Sequence, residues 1–316
     1  MSAAKQASGA SALTQLSAQL ATAVETAANS IVSIHARRRI PSSGVIWRSG
    51  VIVSASHTVR RDDHIPVTLP GGEQVSATIA GRDTSTDLIA LRADLGSAPT
   101  ARRPDDADDA RVPVGSLVLA VGRPGSRATA SFGIVSAVVG SWRSWRGARI
   151  DGLLRLDLSI YDGFSGGALV DASGSLLGLN NSALAHGTPM AIPSAVVDRV
   201  VDELVERGHV QRSFLGVAVH PVALSPTLAE KERLTQFAGL LVMSVSDRSP
   251  AAAAGILVGD VLLEAAGQTL AGPTDLLDAL SRARPHEVMT IRLLRGGGRV
   301  DVAVTPADRG RTQVAE

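Results

Sequence analysis

From residue 31 to about 193 the chain is a succession of short apolar runs: IVSIHA, GVIW, GVIVSA, IPVTLP, VSATIAG, LIALRA, SLVLAVG, TASFGIVSAVVG, LLRLDLSI, GALVD and SLLGLNNS. Gly, Pro, Asp and Ser punctuate them. Runs of this length and composition read as strands, and almost no helical spacing separates them, which points away from βαβ units. The fold class is mainly β, with strands that close into a barrel or stack as a sandwich.

Helical spacing appears at the edges of this region. Leu13, Leu16, Leu20, Val24 and Ala28 share one face of a helix within residues 11–29. AIPSAVVDRVVDELVERG reads as a second helix, starting behind Pro193 and ending at Gly208. Beyond it the pattern changes to a small α+β module: strand FLGVAV, a polar helical stretch, strand GLLVMSV, a short helix after SPAAAAG, strand VLLEAAG, helix TDLLDALSRA and a hairpin around RGGG. The expected division is a helical segment at 1–29, a β domain at 30–208, the α+β module at 209–308 and a flexible tail at 309–316.

Composition removes several function classes. Lys+Arg is 31 against Asp+Glu 30, a net +1, so no bulk field draws the chain to nucleic acid or an anionic membrane. Partners must be recognised locally. With no cysteine there is no disulfide, thiolate metal site or cysteine nucleophile, and no His/Asp/Glu cluster has metal-ligand spacing. Neither a metal nor another cofactor is expected. No run is long enough for a transmembrane helix, and MSAAKQASGASALTQLSAQL lacks the apolar core of a signal peptide. The sequence as written reads as cytoplasmic, and as periplasmic or extracytoplasmic if an export signal has been removed. ARRPDDADDARVP, residues 101–113, reads as a solvated surface loop.

One stretch is built for chemistry. In YDGFSGGALVD, residues 161–171, Ser165 stands between Gly163 and the pair Gly166–Gly167. Such flanks let the backbone strain and let another molecule approach closely. A nucleophilic serine needs a base, and the base needs an orienting group. His57 ends the apolar run GVIVSASHTV, and Asp87 precedes the apolar run of GRDTSTDLIALR, where a buried carboxylate requires a donor such as His57 Nδ1–H. The motif also satisfies the G-x-S-x-G elbow of α/β-hydrolases, but there the acid and histidine follow the serine and a long helix follows the motif. Here strand, turn and strand follow, His209 and His286 lie beyond the β region, and the order His, Asp, Ser is that of chymotrypsin-like double barrels.

Together LATAVETAANSIVSI, GVIVSASHTV, GRDTSTDLIALR, VGRPGSRATASFGIVSAV, DGFSGGALVD and MAIPSAVVDRVV resemble, in order, the protease domain of HtrA/Deg-type serine proteases. The resemblance implies a chymotrypsin-like double six-stranded β-barrel followed by one PDZ domain, with His57, Asp87 and Ser165 at the triad positions. It puts the oxyanion hole at Gly163, Phe164 and Ser165, where Phe164 replaces the commoner asparagine; a hole made of backbone N–H groups tolerates that. It bounds the S1 pocket with Ser159, Ile160, Asn181, Ser182 and Ala183, which offer no buried acid and so imply a small or medium aliphatic P1 residue.

The second module extends the resemblance. Phe214, Leu215, Gly216 and Val217 match the carboxylate-binding loop of PDZ domains, and Leu276, Leu277 and Leu280 are candidates for groove or core. Gly255, Gly259 and Asp260 shape turns. The implied function is an endopeptidase that cleaves unfolded or damaged proteins, with the PDZ domain binding C-terminal tails; the alternative is a catalytically idle chaperone or scaffold on the same fold. The implied partners are unfolded or tail-bearing polypeptides and no nucleic acid, and a homotrimer is the assembly considered. SWRSWRGAR, residues 141–149, has the composition of a single-strand nucleic-acid contact but reads better as a hairpin with arginines over tryptophans, at the family's signal-relaying loop.

Overall fold

The computed structural model describes residues 3–104, 112–143, 149–185 and 187–308. It divides into two compact units, Met1–Val210 and Gln211–Glu316. The 309–316 tail and the centre of the Trp/Arg loop lie outside the described residues.

In the first unit, helix α1 (Ala3–Ala28) precedes two closed six-stranded antiparallel barrels. The first is formed by β1 (Ile31–Ile34), β2 (Ser42–Arg48), β3 (Val51–Ala55), β4 (Ile65–Thr68), β5 (Gln74–Asp83) and β6 (Leu88–Arg92), in the order β1-β2-β3-β6-β5-β4. The second is formed by β7 (Leu117–Gly122), β8 (Thr129–Arg143), β9 (Arg149–Asp157), β10 (Ala168–Val170), β11 (Leu176–Asn181) and β12 (Met190–Pro193), in the order β10-β11-β12-β9-β8-β7. Closure leaves no free edge in either barrel.

The strands β1, β3 and β10 are buried along their whole length. Alternate residues fill a barrel: Val32, Ile34 and Ile52 pack inside the first, and Leu169 and Ala191 inside the second. The residues between them, including Ile31, Val45, Val53, Val121, Ala168 and Leu179, join one further core with α1 and the helix α2 (Ser194–Arg207). That core is the seam on which the two barrels meet.

The expected helix behind Pro193 is α2, which closes in a left-handed cap at Gly208. Its valines are weak helix formers, but Val196, Val197, Val200, Val201 and Leu204 are buried, each contributing about 1.5–3 kcal/mol. Tertiary packing therefore holds the helix. Its polar face is tied to the first barrel. Asp198 accepts from Trp47 Nε1 at 2.7 Å and Arg103 at 3.1 Å, and the Arg103 guanidinium lies 4.2 Å over the Trp47 ring.

Two readings of the sequence need adjustment. Of the stripe on α1, Leu20, Val24 and Ala28 are half-buried and Leu13 is 71% exposed, while the buried positions are the neighbouring Ala23 and Ala27. Strand β12 was absent from the expected runs, being four residues that end on the proline before α2.

The second unit is built from β13 (Ser213–Phe214), β14 (Val217–Ala223), α3 (Pro226–Lys231), β15 (Ala238–Val245), α4 (Pro250–Ala253), β16 (Val261–Ala265), β17 (Gln268–Thr269), α5 (Pro273–Arg282), β18 (Met289–Arg295), β19 (Gly298–Val304) and β20 (Ala307–Asp308). The run FLGVAV is two strands, because Gly216 turns the chain at φ 83°. One sheet runs β14-β15-β16-β18-β19, and β13 pairs with β20. Between Gly255 and β16, Asp260 is buried (2% exposed), accepts Leu257 N–H at 2.8 Å and meets Arg295 Nε and Nη2 at 2.8 and 2.7 Å. No helix among the described residues is long and apolar enough to cross a membrane.

Candidate active site

The base and the acid come from the first barrel. β3 ends at Ala55 and the chain enters a 3₁₀ turn, Ser56–Thr58, that carries His57. Asp87 precedes β6 in the turn DTSTD, where Asp83 accepts from Ser85 N–H, Thr86 N–H and the Thr86 hydroxyl. This turn leaves Asp87 at φ 59°, a left-handed geometry aspartate tolerates. The two turns are joined by Ser56 N–H to Asp87 O at 2.9 Å.

The Asp87 carboxylate takes three donors. His57 N–H reaches Oδ1 at 2.8 Å, His57 Nδ1 lies 2.5 Å from Oδ2, and Asn181 Nδ2 reaches Oδ2 at 2.7 Å. Asp87 is 8% exposed, so each donor offsets the cost of burying its charge. With Nδ1 facing a carboxylate, the proton sits on Nδ1 and Nε2 is left as the acceptor. The His57 side chain is about one-third exposed, at 32%.

The second barrel supplies the serine. Tyr161 O accepts Phe164 N–H at 3.0 Å, and Gly163 sits at φ 89° in the third place of that turn, the geometry of a type II turn. Ser165 follows, and Gly166 and Gly167 lock it to β11 through Gly166 N–H to Asn180 O at 2.9 Å and Asn180 N–H to Gly167 O at 2.8 Å. A Cβ on Gly166 would stand 2.2 Å from Ser54 Oγ, 2.3 Å from Ser43 O and 2.9 Å from Ala55 N. The nucleophile turn thus lies directly against the end of β3, two residues before His57.

Phe164 is fully buried and meets Tyr161 edge-on at 5.4 Å between ring centroids. The Gly163 carbonyl accepts from Ser43 Oγ at 2.6 Å, and Ser43 Oγ in turn accepts Arg123 N–H at 2.7 Å. Among the described residues, neither Gly163 N–H nor Ser165 N–H has an acceptor. The Arg123 guanidinium donates to Ile31 O, Ser126 O and Ala28 O, the last at the C-terminus of α1. Burial pulls it below its ordinary pKa, and the helix C-terminus offsets part of that cost.

The Ser165 hydroxyl pairs with Ser182 Oγ at 2.9 Å and accepts Ser182 N–H at 3.3 Å; it makes no hydrogen bond to His57. The structure joins His57 to Asp87 and sets Ser165 beside them without completing the third link.

The residues assigned to an S1 wall lie in different settings. Asn181 is fully buried beneath Asp87, with its Oδ1 accepting Ala183 N–H and Leu184 N–H. Ser182 faces Ser165, Ile160 is half-buried, and Ser159 and Ala183 are exposed. Asn181, Ser43 and Arg123 were not identified from sequence as supports of the site. The polar pair ending the apolar run LLGLNN was the available signal for Asn181.

In the second unit, Leu215 N–H and Gly216 N–H have no acceptor among the described residues. Leu215, Leu276 and Leu280 are buried in the module core, whereas Leu277 is exposed. No group of three His, Asp or Glu among the described residues could hold a metal ion.

Residues 42–179 match the trypsin-like peptidase domain family, and residues 213–305 match the PDZ domain family. A probable periplasmic serine endoprotease, DegP-like, from Brucella suis biovar 1 is 33% identical over 291 residues, covering 88% of this chain and 55% of the relative. Its counterpart from Halomonas elongata is 32% identical over 278 residues, covering 86% of this chain and 57% of the relative. The chain thus spans a little over half the length of these relatives. The solved serine endoprotease from Yersinia pestis superposes with a TM-score of 0.74 at 30% identity, over 92% of this chain and 97% of that one. The HtrA-type protease AlgW with a decapeptide gives 0.72 at 30% identity, over 92% and 98%. Identity of this order, sustained from the first barrel through the PDZ domain, shows that the chain belongs to the HtrA-type family of serine endoproteases.

Proposed function

We propose that the chain is a serine endopeptidase acting through His57, Asp87 and Ser165 on unfolded or damaged polypeptides. The observation that carries this is the threefold-donated Asp87 carboxylate, which fixes the His57 tautomer and leaves Nε2 free to accept a proton. Rotation of Ser165 about χ1, from Ser182 toward His57, completes the relay between staggered wells. His57 then takes the hydroxyl proton as Ser165 Oγ attacks the scissile carbonyl. The unengaged N–H groups of Gly163 and Ser165 receive the developing oxyanion. His57 returns the proton to the leaving amine, and water repeats the sequence on the acyl-enzyme.

Ser182, Ile160, Ser159 and Ala183 border the P1 side and carry no charge, favouring a small or medium aliphatic residue. Asn181 acts as an orienting residue beneath the acid. The unengaged Leu215 and Gly216 amides support capture of a peptide C-terminal carboxylate by the PDZ domain. The periplasmic relatives support an extracytoplasmic setting.

The test is labelling with a fluorophosphonate and turnover of casein. Wild type should label at Ser165 and degrade casein; His57→Ala and Ser165→Ala should lose turnover by several orders of magnitude. Labelling unchanged in His57→Ala would eliminate the proposed base.

A further inference from the structure

The loop between β1 and β2, residues 35–41, reads HARRRIP and touches the site at both ends. Ala36 O accepts Arg60 N–H at 3.3 Å, three residues beyond His57. At the other end Pro41 O lies 2.7 Å from where a Cβ on Gly163 would stand. The loop therefore runs from the segment bearing the base to the turn bearing the nucleophile.

It brings an excess of positive charge with it. Arg38, Arg39, Arg60 and Arg61 are exposed, and Arg37 is half-buried with Nε on Ile40 O at 2.6 Å. The acids beside them are Asp62 and Asp63, both exposed, and Asp62 already meets Arg82 at 3.5 Å. Five arginines against two aspartates give this flank +3 in a chain whose total is +1, so the remainder carries −2. The histidines here, His35, His57 and His64, are neutral at pH 7 in that count. By contrast, residues 157–162, leading into the nucleophile turn, carry Asp157 and Asp162, both exposed, and no Lys or Arg.

Chemistry assigns the positive flank a direction. The base that takes the serine proton returns it to the leaving amine, so the polypeptide C-terminal to the scissile bond departs past His57. The chain that follows His57, and the loop bonded to it, border that departing segment. We propose that Arg38 and Arg39, with Arg60 and Arg61, form a binding surface for acidic residues just C-terminal to the scissile bond. This rests on the serine endopeptidase reading and adds a substrate preference to it. Residues 35–41 and 57–64 contain no Phe, Tyr or Trp on which bases could stack, so the geometry favours a peptide over a single-stranded nucleic acid.

The test uses two quenched fluorescent peptides of identical composition around one cleavable bond. One places two glutamates at the second and third positions after the bond, the other at the second and third positions before it. The expected result is about a three- to tenfold higher kcat/KM for the first peptide at low salt, carried by KM and collapsing near 0.5 M NaCl, as rim charges behave. In Arg38→Glu/Arg39→Glu the ratio between the two peptides should fall to about one or invert. The ratio within each variant is unaffected by a general loss of activity. Equal cleavage of the two peptides by a wild-type enzyme that labels with fluorophosphonate overturns this proposal and leaves the peptidase reading standing. If neither peptide is cleaved, fluorescence anisotropy with Ser165→Ala makes the same comparison, and equal affinities overturn it. A peptide ratio of one, together with retention of single-stranded DNA that Arg38→Glu/Arg39→Glu abolishes, would assign the arginines to nucleic acid and also overturn it.

Discussion

Replacing Ser43 by alanine removes one buried oxygen that serves two partners. Ser43 is 0% exposed; its hydroxyl accepts from Arg123 N–H at 2.7 Å and donates to Gly163 O at 2.6 Å. In Ser43→Ala both groups lose their partner at a tightly packed place, where a Cβ on Gly122 would stand 2.9 Å from the same hydroxyl and 3.0 Å from the Phe164 ring. An unsatisfied buried backbone group costs about 1–3 kcal/mol. Two would cost about 2–6 kcal/mol, and relaxation of the Gly163 turn brings the expected loss to about 2–4 kcal/mol. For a unit of this size that lowers Tm by roughly 4–12 °C. The second effect is on rate. Without the Ser43 hydroxyl the Gly163 carbonyl loses its tether, and the Gly163 and Ser165 N–H groups lose alignment. Because an oxyanion exists only in the transition state, kcat should fall with KM nearly unchanged. Removing an oxyanion donor outright costs about 10²–10³ in kcat, so misalignment should cost about 10–100-fold. Urea unfolding and peptide kinetics on the full chain, at a temperature where the variant is folded, provide both readings. A variant with wild-type kcat would show that the tether does not position the oxyanion donors.

Asp198→Ala should destabilise the first unit by about 1–2 kcal/mol in urea unfolding, chiefly because it strands the Trp47 N–H, with a smaller, solvent-screened loss at the partly exposed Arg103; a change below 0.5 kcal/mol would contradict the arrangement. In the second unit, burial raises the Asp260 pKa, but the Arg295 hydrogen bonds and Leu257 N–H outweigh it, so the carboxyl lies below its ordinary value. A depressed folded pKa contributes stability above the unfolded pKa of about 3.9 and loses it as pH falls through the lower folded value. Acid unfolding monitored by amide exchange in β16 and β18 should thus begin at higher pH in Asp260→Asn, and coincident curves would count against this contribution. An apolar-ended peptide should bind the PDZ domain at roughly micromolar Kd and lose most of that affinity when its C-terminus is amidated. Equal binding of acid and amide would exclude carboxylate capture.

Most strands were readable because turn residues bracket them and their apolar runs are long enough to bury. β12, β17 and β20 were not, being four, two and two residues long, so pairing rather than local propensity makes them strands. The geometry joins His57 and Asp87, thirty positions apart, the base and acid that the order of base, acid and serine singled out. The support that Asn181 gives Asp87 was not legible, because an amide closing an apolar run looks the same whether it lines a pocket or supports an acid. Ser43 was invisible for a different reason. Its partners are backbone groups 80 and 120 residues away, and a main-chain carbonyl leaves no signature in the side-chain alphabet.

The seam between the barrels also orders events during synthesis. His57 and Asp87 belong to the barrel made first, Ser165 and Asn181 to the one made second. A ribosome adding about 5–20 residues per second takes roughly 6–25 s to travel from residue 57 to residue 181. Until residue 165 is added the nascent chain holds an imidazole without the Ser165 hydroxyl, and until residue 181 an aspartate without its third donor. It also holds its own unfolded segments, the kind of substrate proposed for the finished enzyme. For the proposed triad, splitting its members across the seam means that reactivity has to wait until both barrels have been made.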